Sequence, residues 1–402
     1  MLYMLDILKY KPLFEKIETP FYFYDTNLLQ HTIDEVKRSM ACIEDAYIHF
    51  AIKSNSNPTL LEYIAKNGWG TDCVSGNEIT RSIQVGIDSN KIVFAGVGKT
   101  DKEINIALEN NIQCFNVESI SELDIINSLA KQKEKIARVA FRINPGVDAH
   151  THKNITTGLD ENKFGIDIND MLDVIKYTQT LSNVEYYGLH FHIGSQILDL
   201  TCYVKLCERI NELQDILESH NIQTPSINVG GGLGIDYDNP IENNISDFSN
   251  YFHIFTKHLK RRPNQQLHFE LGRSISGQCG LLISKVIYIK KTKHKQFAIL
   301  DAGFTDFMRP TLYQAHHKIV NLSGQDCQKQ IYDIVGPICE STDVFEHDYQ
   351  IEELHRGDLV AFLSTGAYGH TMASTYNCRD LIKEYTLDYL LQSTSKEKKL
   401  KN

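Results

Sequence analysis

The sequence predicts an α/β protein: a (β/α)8 TIM barrel followed by a C-terminal, mostly β domain. Three observations lead there. Eight short runs rich in β-formers lie near residues 47–52, 69–74, 91–95, 112–117, 137–143, 184–192, 226–229 and 267–271. Helical stretches such as 60–66, 78–84, 101–109 and 120–129 separate most of them, and eight such units over about 220 residues have the length and count of a closed barrel. After residue 275 the rhythm changes, and 281–288, 296–300, 331–335 and 358–363 read as strands joined by turns. An open doubly wound sheet is the alternative for the repeating part.

The chain in order starts with Thr19-Pro-Phe-Tyr-Phe-Tyr-Asp25, read as a strand ahead of any helix. It has no βα partner and is expected to join the β domain's sheet. After Asp25 the pattern is helical to about residue 40. Ser75-x-x-Glu78 and Ser119-x-x-Glu122 each read as a capping box, in which side chains satisfy free N–H groups. Near the end, 380–391 reads as a helix and 393–402 as a solvated, frayed terminus. The expected division is 1–26 with the β domain, 27–275 as the barrel, and 276–402 as the C-terminal domain.

Composition bounds the function. With 402 residues, two domains are the expectation. Hydrophobic residues at 42% and charged residues at 23% suit an ordinary globular protein. A net charge of −10 argues against nucleic acid or an anionic membrane as partner. The opening stretch has Asp6 and Lys9 inside its apolar run, so no signal peptide is expected, and no later stretch is long enough to span a bilayer. The nine cysteines, 42, 73, 114, 202, 207, 279, 327, 339 and 378, form no Cys-x-x-Cys pair. Reduced thiols, no metal and a cytoplasmic location follow as expectations.

In a barrel the C-terminal strand ends converge on one mouth. The first strand ends on Lys53, followed by a polar turn and Pro58, a residue suited to a helix start. A partly desolvated lysine there can lose its proton and form an imine with a carbonyl. The later strands end in Asp72, Arg142-Ile-Asn144, His190-Phe-His192-Ile-Gly-Ser195, Asn228-Val-Gly230-Gly-Gly232-Leu-Gly234 and Glu270-Leu-Gly272-Arg273. Strand alternation puts His190 and His192 on one face. Gly230, Gly231 and Gly232 let backbone N–H groups approach an oxyanion, at the position after strand seven where barrels often bind phosphate. Their spacing is not that of a dinucleotide fingerprint, and a tight turn is the plain alternative.

A lysine that forms imines, beside a phosphate cradle, suggests pyridoxal 5′-phosphate. Glu270 is placed to be the anion at the ring nitrogen, and His192 to be a flat group against the ring. A salt bridge with Arg273 and simple core packing are the respective alternatives.

Further blocks support a resemblance over nearly the whole chain. They are Phe50-Ala-Ile-Lys53-Ser-Asn55, Asp72-Cys-Val-Ser-Gly-Asn-Glu78, Arg142-Ile-Asn-Pro-Gly-Val-Asp148, Asn162-Lys-Phe-Gly165, Met308-Arg309-Pro-Thr-Leu-Tyr313, Gly336-Pro-Ile-Cys339-Glu340-Ser and Gly366-Ala-Tyr368-Gly. With the strand-end motifs they resemble the diaminopimelate decarboxylases. These lie within the alanine-racemase-like group of pyridoxal-phosphate decarboxylases that includes ornithine decarboxylase. Leu271 departs from the pattern, since relatives commonly carry proline there.

The resemblance implies that Lys53 holds the cofactor and His192 stacks on its ring. It implies that Ser195, glycines 230–232 and the Glu270–Gly272–Arg273 segment hold the phosphate and ring nitrogen, with Tyr368 also touching the cofactor. Asp72 and Arg142 match positions near the lysine and cofactor. Substrate would be bound by Arg273, Arg309, Tyr313, Glu340 and Tyr368. Cys339 would be the proton donor, lent by the other subunit of an obligate homodimer with shared active sites, and 276–402 would contribute substrate and dimer contacts.

The substrate can be weighed on chemistry alone. Ornithine carries only an ammonium at its far end, whereas diaminopimelate carries an ammonium and a carboxylate. A site for the latter needs an acid and an arginine together, and Glu340 with Arg309 meet that need. The expected reaction is decarboxylation of meso-diaminopimelate at its D-centre to L-lysine. Rival readings are a relative acting on ornithine, arginine or carboxynorspermidine, and a non-catalytic homologue that binds partners.

Overall fold

The computed structural model of the chain describes residues 2–147, 163–324 and 328–400. Asp148, Asn162 and Cys327, which figure in the readings above, lie outside the described residues. The chain forms two compact units. One is Ile33–Gly234 with Asp247–Gly272; the other is Met1–Thr32, Ile235–Ser246 and Arg273–Asn402.

The first unit holds a closed barrel. After β1 (Phe21–Tyr24), which belongs to the other unit, come β2 (Ala46–Ala51), β3 (Gly70–Cys73), β4 (Ile92–Phe94), β5 (Cys114–Val117), β6 (Ala137–Arg142), β7 (Val184–His190), β8 (Ser226–Asn228) and β9 (Gln266–Phe269). They pair in sequence order, all parallel, and β9 closes on β2 with Leu267 opposite Ala46. All eight expected barrel strands are present. They are short and buried along most of their length, as parallel strands covered on both faces must be. The helix Ile120–Gln132 shows how the cover is built: Leu123, Ile126, Leu129 and Ala130 are its buried face, spaced three or four apart.

The capping differs in detail from expectation. Ser75 and Ser119 do accept from the N–H of Glu78 and Glu122, each at 3.2 Å. The two carboxylates, however, reach back one residue further, to the N–H of Val74 at 2.7 Å and of Glu118 at 2.9 Å. The complete capping box is at Thr100 and Glu103.

The second unit is an eight-stranded sheet. Its strands are β10 (Gly280–Lys291), β11 (Gln296–Leu300), β12 (Ile319–Asn321), β13 (Lys329–Val335), β14 (Val344–Glu352), β15 (Leu359–Phe362) and β16 (Lys383–Thr386), with β1. The path runs β12-β15-β10-β11-β13-β14, and β1 lies between β10 and β16, antiparallel to the first and parallel to the second. The N-terminal strand thus joins this sheet as an interior strand. Its four aromatics are all buried, and burying a phenylalanine contributes about 3 kcal/mol.

Four expectations are corrected here. A helix, Leu2–Phe14, precedes β1. Pro12 near its end hides it in the sequence, and the ring of Phe14 packs on Phe21 and Phe23. β14 is a strand without an apolar run, because along Val344–Glu352 only Phe345 and Ile351 are buried and the rest is largely charged or polar. β12 is a further strand outside the expected set, only three residues long. The expected helix over 380–391 gives way to β16, followed by a helix over Leu387–Leu400 that runs through most of the supposed frayed tail. Pairing with β1 holds 383–386 extended, and Thr386 Oγ1 then accepts from the N–H of Tyr389 in the helix's first turn.

Candidate active site

The barrel unit gathers one group of candidates. Beyond β2 a single 3-10 turn, Ile52–Ser54, presents Lys53, and Asn57 caps the helix Pro58–Lys66 by accepting from the N–H of Thr59 at 3.0 Å. The N–H of Ala51 donates to the carbonyl of Leu271 at 3.0 Å, which ties this turn to the segment after β9. Gly272 lies against it too: a Cβ there would sit 3.0 Å from both Ala51 Cβ and Ser54 Oγ. Lys53 Nζ is 3.3 Å from Asp72 Oδ2, with the lysine partly exposed and the aspartate buried. Burial and then the charge of Glu270 push the Asp72 carboxyl up to about 6, against the pull of Lys53.

Glu270 is held from both sides. Asn116 and Asn228 donate to its Oε1 at 3.0 and 2.8 Å, and His190 Nε2 lies 3.0 Å from Oε2. Burial alone would raise its pKa. His190 and Lys53 outweigh burial and keep the carboxylate well below the usual range. His192 behaves oppositely. Burial, Arg142 and Lys53 drive its pKa well down, so the ring is neutral, and Nδ1 accepts from the N–H of Gly231 at 3.3 Å.

The glycine run is dictated by close backbone approach. Gly230 has φ +69°, and a Cβ there would collide with the carbonyl of Phe191; at Gly231 it would collide with the carbonyl of Glu270. Gly232 O accepts from Ile197 N–H, and Ile197 O accepts from Gly234 N–H, both at 2.9 Å. That bridge sets the loop bearing Ser195 beside the glycines. Arg142 makes a buried ion pair with Glu118 at 3.0 Å, and Glu118 also accepts from the N–H of Gly165 at 2.8 Å.

The sheet unit gathers a second group. Arg273 opens the short helix Arg273–Ser276 and Arg309 opens Arg309–Tyr313. The Nη1 atoms of both donate to one oxygen, the Tyr237 hydroxyl, each at 2.8 Å. Arg309 Nη1 also donates to His317 Nε2 at 2.6 Å. The Arg273 guanidinium lies 4.8 Å from the ring centroid of Tyr368, whose backbone is left-handed with φ +57°. Tyr313 closes the same short helix that Arg309 opens. Arg309 is buried, and among the described residues no carboxylate pairs with it. Burial, only partly offset by Tyr237, lowers its pKa.

Cys339 and Glu340 are exposed on the turn between β13 and β14. The Asp343 carboxylate accepts from the N–H groups of Ile338 and Phe304, each at 2.7 Å, and shapes that turn. The N–H of Cys339 donates to Asn377 Oδ1 at 3.2 Å, and Tyr376 donates to Glu340 at 2.6 Å.

Sequence reasoning gave no role to Asn116, Asn228, Tyr237 or His317. The two asparagines carry a faint signal, each a polar residue inside a buried strand. Tyr237 and His317 carry none locally.

Residues 29–277 match the pyridoxal binding domain of the pyridoxal-dependent decarboxylases. The diaminopimelate decarboxylase of Bacteroides thetaiotaomicron is 55% identical over 94% of this chain and 98% of its own length. The chain belongs to the diaminopimelate decarboxylase family. The family's enzyme from Aquifex aeolicus is 39% identical over 94% of this chain and 89% of its own. The crystal structure of the Helicobacter pylori diaminopimelate decarboxylase complexed with L-lysine covers 94% of both chains at 38% identity, with a TM-score of 0.89. The barrel residues fit this family's cofactor. They offer an amine on the turn after β2, a carboxylate that stays ionised and is held by three side chains, a neutral imidazole, and a loop whose backbone tolerates no side chain.

Proposed function

We infer that this chain is a carboxy-lyase that uses pyridoxal 5′-phosphate to convert meso-2,6-diaminopimelate into L-lysine and CO2, the last step of lysine biosynthesis. The observation that carries the substrate is the pair of buried arginines on one phenol oxygen, with Arg309 lacking a carboxylate partner among the described residues. A buried cation without its counterion is costly, and the substrate's retained carboxylate supplies one. Ornithine has no such group and would leave the charge uncompensated, so the site rejects it.

The residue roles follow from chemistry. When bound, the cofactor supplies an electron sink for the pair left as CO2 departs. Lys53 Nζ is the amine that would hold the cofactor through its aldehyde, with Asp72 beside it to accept or return a proton. Glu270, ionised, would hold a proton on the ring nitrogen. His192, uncharged, would be the flat group against the ring. Ser195, Gly230–Gly232 and Gly272 present donors to the phosphate. Arg273 and Arg309 take the distal carboxylate, Tyr313 and Tyr368 line that end, and Glu340 takes the distal ammonium. Cys339 delivers its thiol proton to the carbon that lost CO2.

The exposure of Cys339 and Glu340 supports their being lent across a homodimer interface, with residues 276–402 making substrate and dimer contacts. Among the described residues no helix is long and apolar enough to cross a membrane, and the scattered thiols support a cytoplasmic setting. The test is CO2 release from meso-diaminopimelate with added cofactor, alongside ornithine and arginine. Release from ornithine but not diaminopimelate would overturn the reading.

A further inference from the structure

Two guanidinium groups repel, and burial strengthens the repulsion. Something must therefore hold Arg273 and Arg309 together when no anion is present. In this structure that is the Tyr237 hydroxyl, which accepts from both at 2.8 Å. Its ring adds a second hold, since the Arg309 guanidinium lies 4.8 Å and that of Arg273 5.9 Å from its centroid.

Tyr237 is itself fixed. The preceding residue, Asp236, accepts through Oδ1 from the N–H groups of Asp238 and Asn239 at 2.9 and 2.8 Å, and through Oδ2 from Asn243 at 2.8 Å. The tyrosine ring meets His317 edge-on, with centroids 4.6 Å apart, and His317 meets Phe307 in the same way. His317 Nδ1 donates to the carbonyl of Leu363 at 2.9 Å, so Nε2 has no proton and accepts from Arg309. Burial and the Arg309 charge keep that ring neutral.

We propose that Tyr237 is a specificity-determining positioning residue: with His317 behind Arg309, its hydroxyl sets the spacing of the two guanidiniums so that one carboxylate, the one retained in the product, is taken by both. The proposal rests on the function inferred above and adds to it the residues that pre-form the carboxylate seat. Preorganisation of this kind acts on binding and leaves the bond-breaking step untouched.

The test uses the full-length holoenzyme carrying Tyr237→Phe, which removes one oxygen. Losing a hydrogen bond to a charged group corresponds to about tenfold in affinity. KM for meso-diaminopimelate and Kd for L-lysine by calorimetry are expected to rise about tenfold, with kcat changed less than about threefold. Binding of 1,5-diaminopentane, which lacks the carboxylate, is expected to stay as in the unaltered protein. An unchanged L-lysine Kd, or an equal loss for the diamine, would overturn the proposal.

His317→Gln keeps an acceptor for Arg309 and is expected to retain the native constants, whereas His317→Leu is expected to reproduce the KM rise. This pair decides the matter if Tyr237→Phe does not fold; equal behaviour of the two would count against the proposal. Failure of the unaltered enzyme to decarboxylate meso-diaminopimelate would instead refute the inferred function.

Discussion

Oε2 of Glu270 lies 3.0 Å from Nε2 of His190, and both side chains are almost fully buried. The other carboxylate oxygen accepts from two asparagines. His190 and Lys53 keep the carboxylate ionised in a place where burial favours the neutral acid. Glu270→Gln removes the charge with little change of shape. It is expected to lower kcat by two to four orders of magnitude, of the order seen when a positioned acid–base group is lost, while the protein still binds cofactor. Steady-state kinetics with an absorbance titration of cofactor checks this, and a loss of less than a few fold would remove the carboxylate from the reaction.

Asp72 offers a pH test of stability. Its carboxyl is raised to about 6 in the folded protein, above the unfolded value of about 4. The folded state therefore binds the extra proton between those values. The associated stability is fully present below about pH 4 and is lost as pH rises through about 6. A rise of this size corresponds to roughly 3 kcal/mol. Asp72→Asn in cofactor-free protein is expected to flatten the melting temperature across that window; an unaltered pH profile would mean that Asp72 titrates normally.

Arg309 places function and stability in opposition. Replacing a buried, incompletely paired charge by an apolar residue of similar size is often neutral or stabilising by about 1–4 kcal/mol. Arg309→Met is expected to leave the denaturation midpoint unchanged or raised, while KM for meso-diaminopimelate rises about a hundredfold, as for loss of a charged anchor. A large drop in stability would show that the arginine is structural.

Lys53 and Cys339 test the sharing of sites. Lys53→Ala is expected to lose the absorbance of the lysine-bound cofactor, and Cys339→Ala to keep it while losing about two or more orders of magnitude in turnover. If the thiol comes from the partner, mixing the two inactive variants makes heterodimers with one intact site, and activity returns to about a quarter of normal. No recovery after mixing, with exchange confirmed by mass, would place both residues in one subunit's site.

The barrel was legible because short buried parallel strands write themselves as apolar runs; β4 and β5 each carry three or more consecutive buried residues. Lys53 and Glu270 were legible as polar residues directly after such runs. β14 and β16 were not, because polar and charged residues interrupt them and only three of their thirteen side chains are fully buried, so pairing with a neighbouring strand makes them strands and composition does not.

What the amino-acid order settled alone was the alternation of elements, the residues at each strand end, and the motifs that carry the family. What only tertiary structure decided was which distant side chains meet. Tyr237 is 36 residues from Arg273 and 72 from Arg309 along the chain, and Asn116 is 154 from Glu270. Periodicity records each residue's burial against its near neighbours, whereas these meetings arise from barrel closure and sheet pairing, which bring remote segments together.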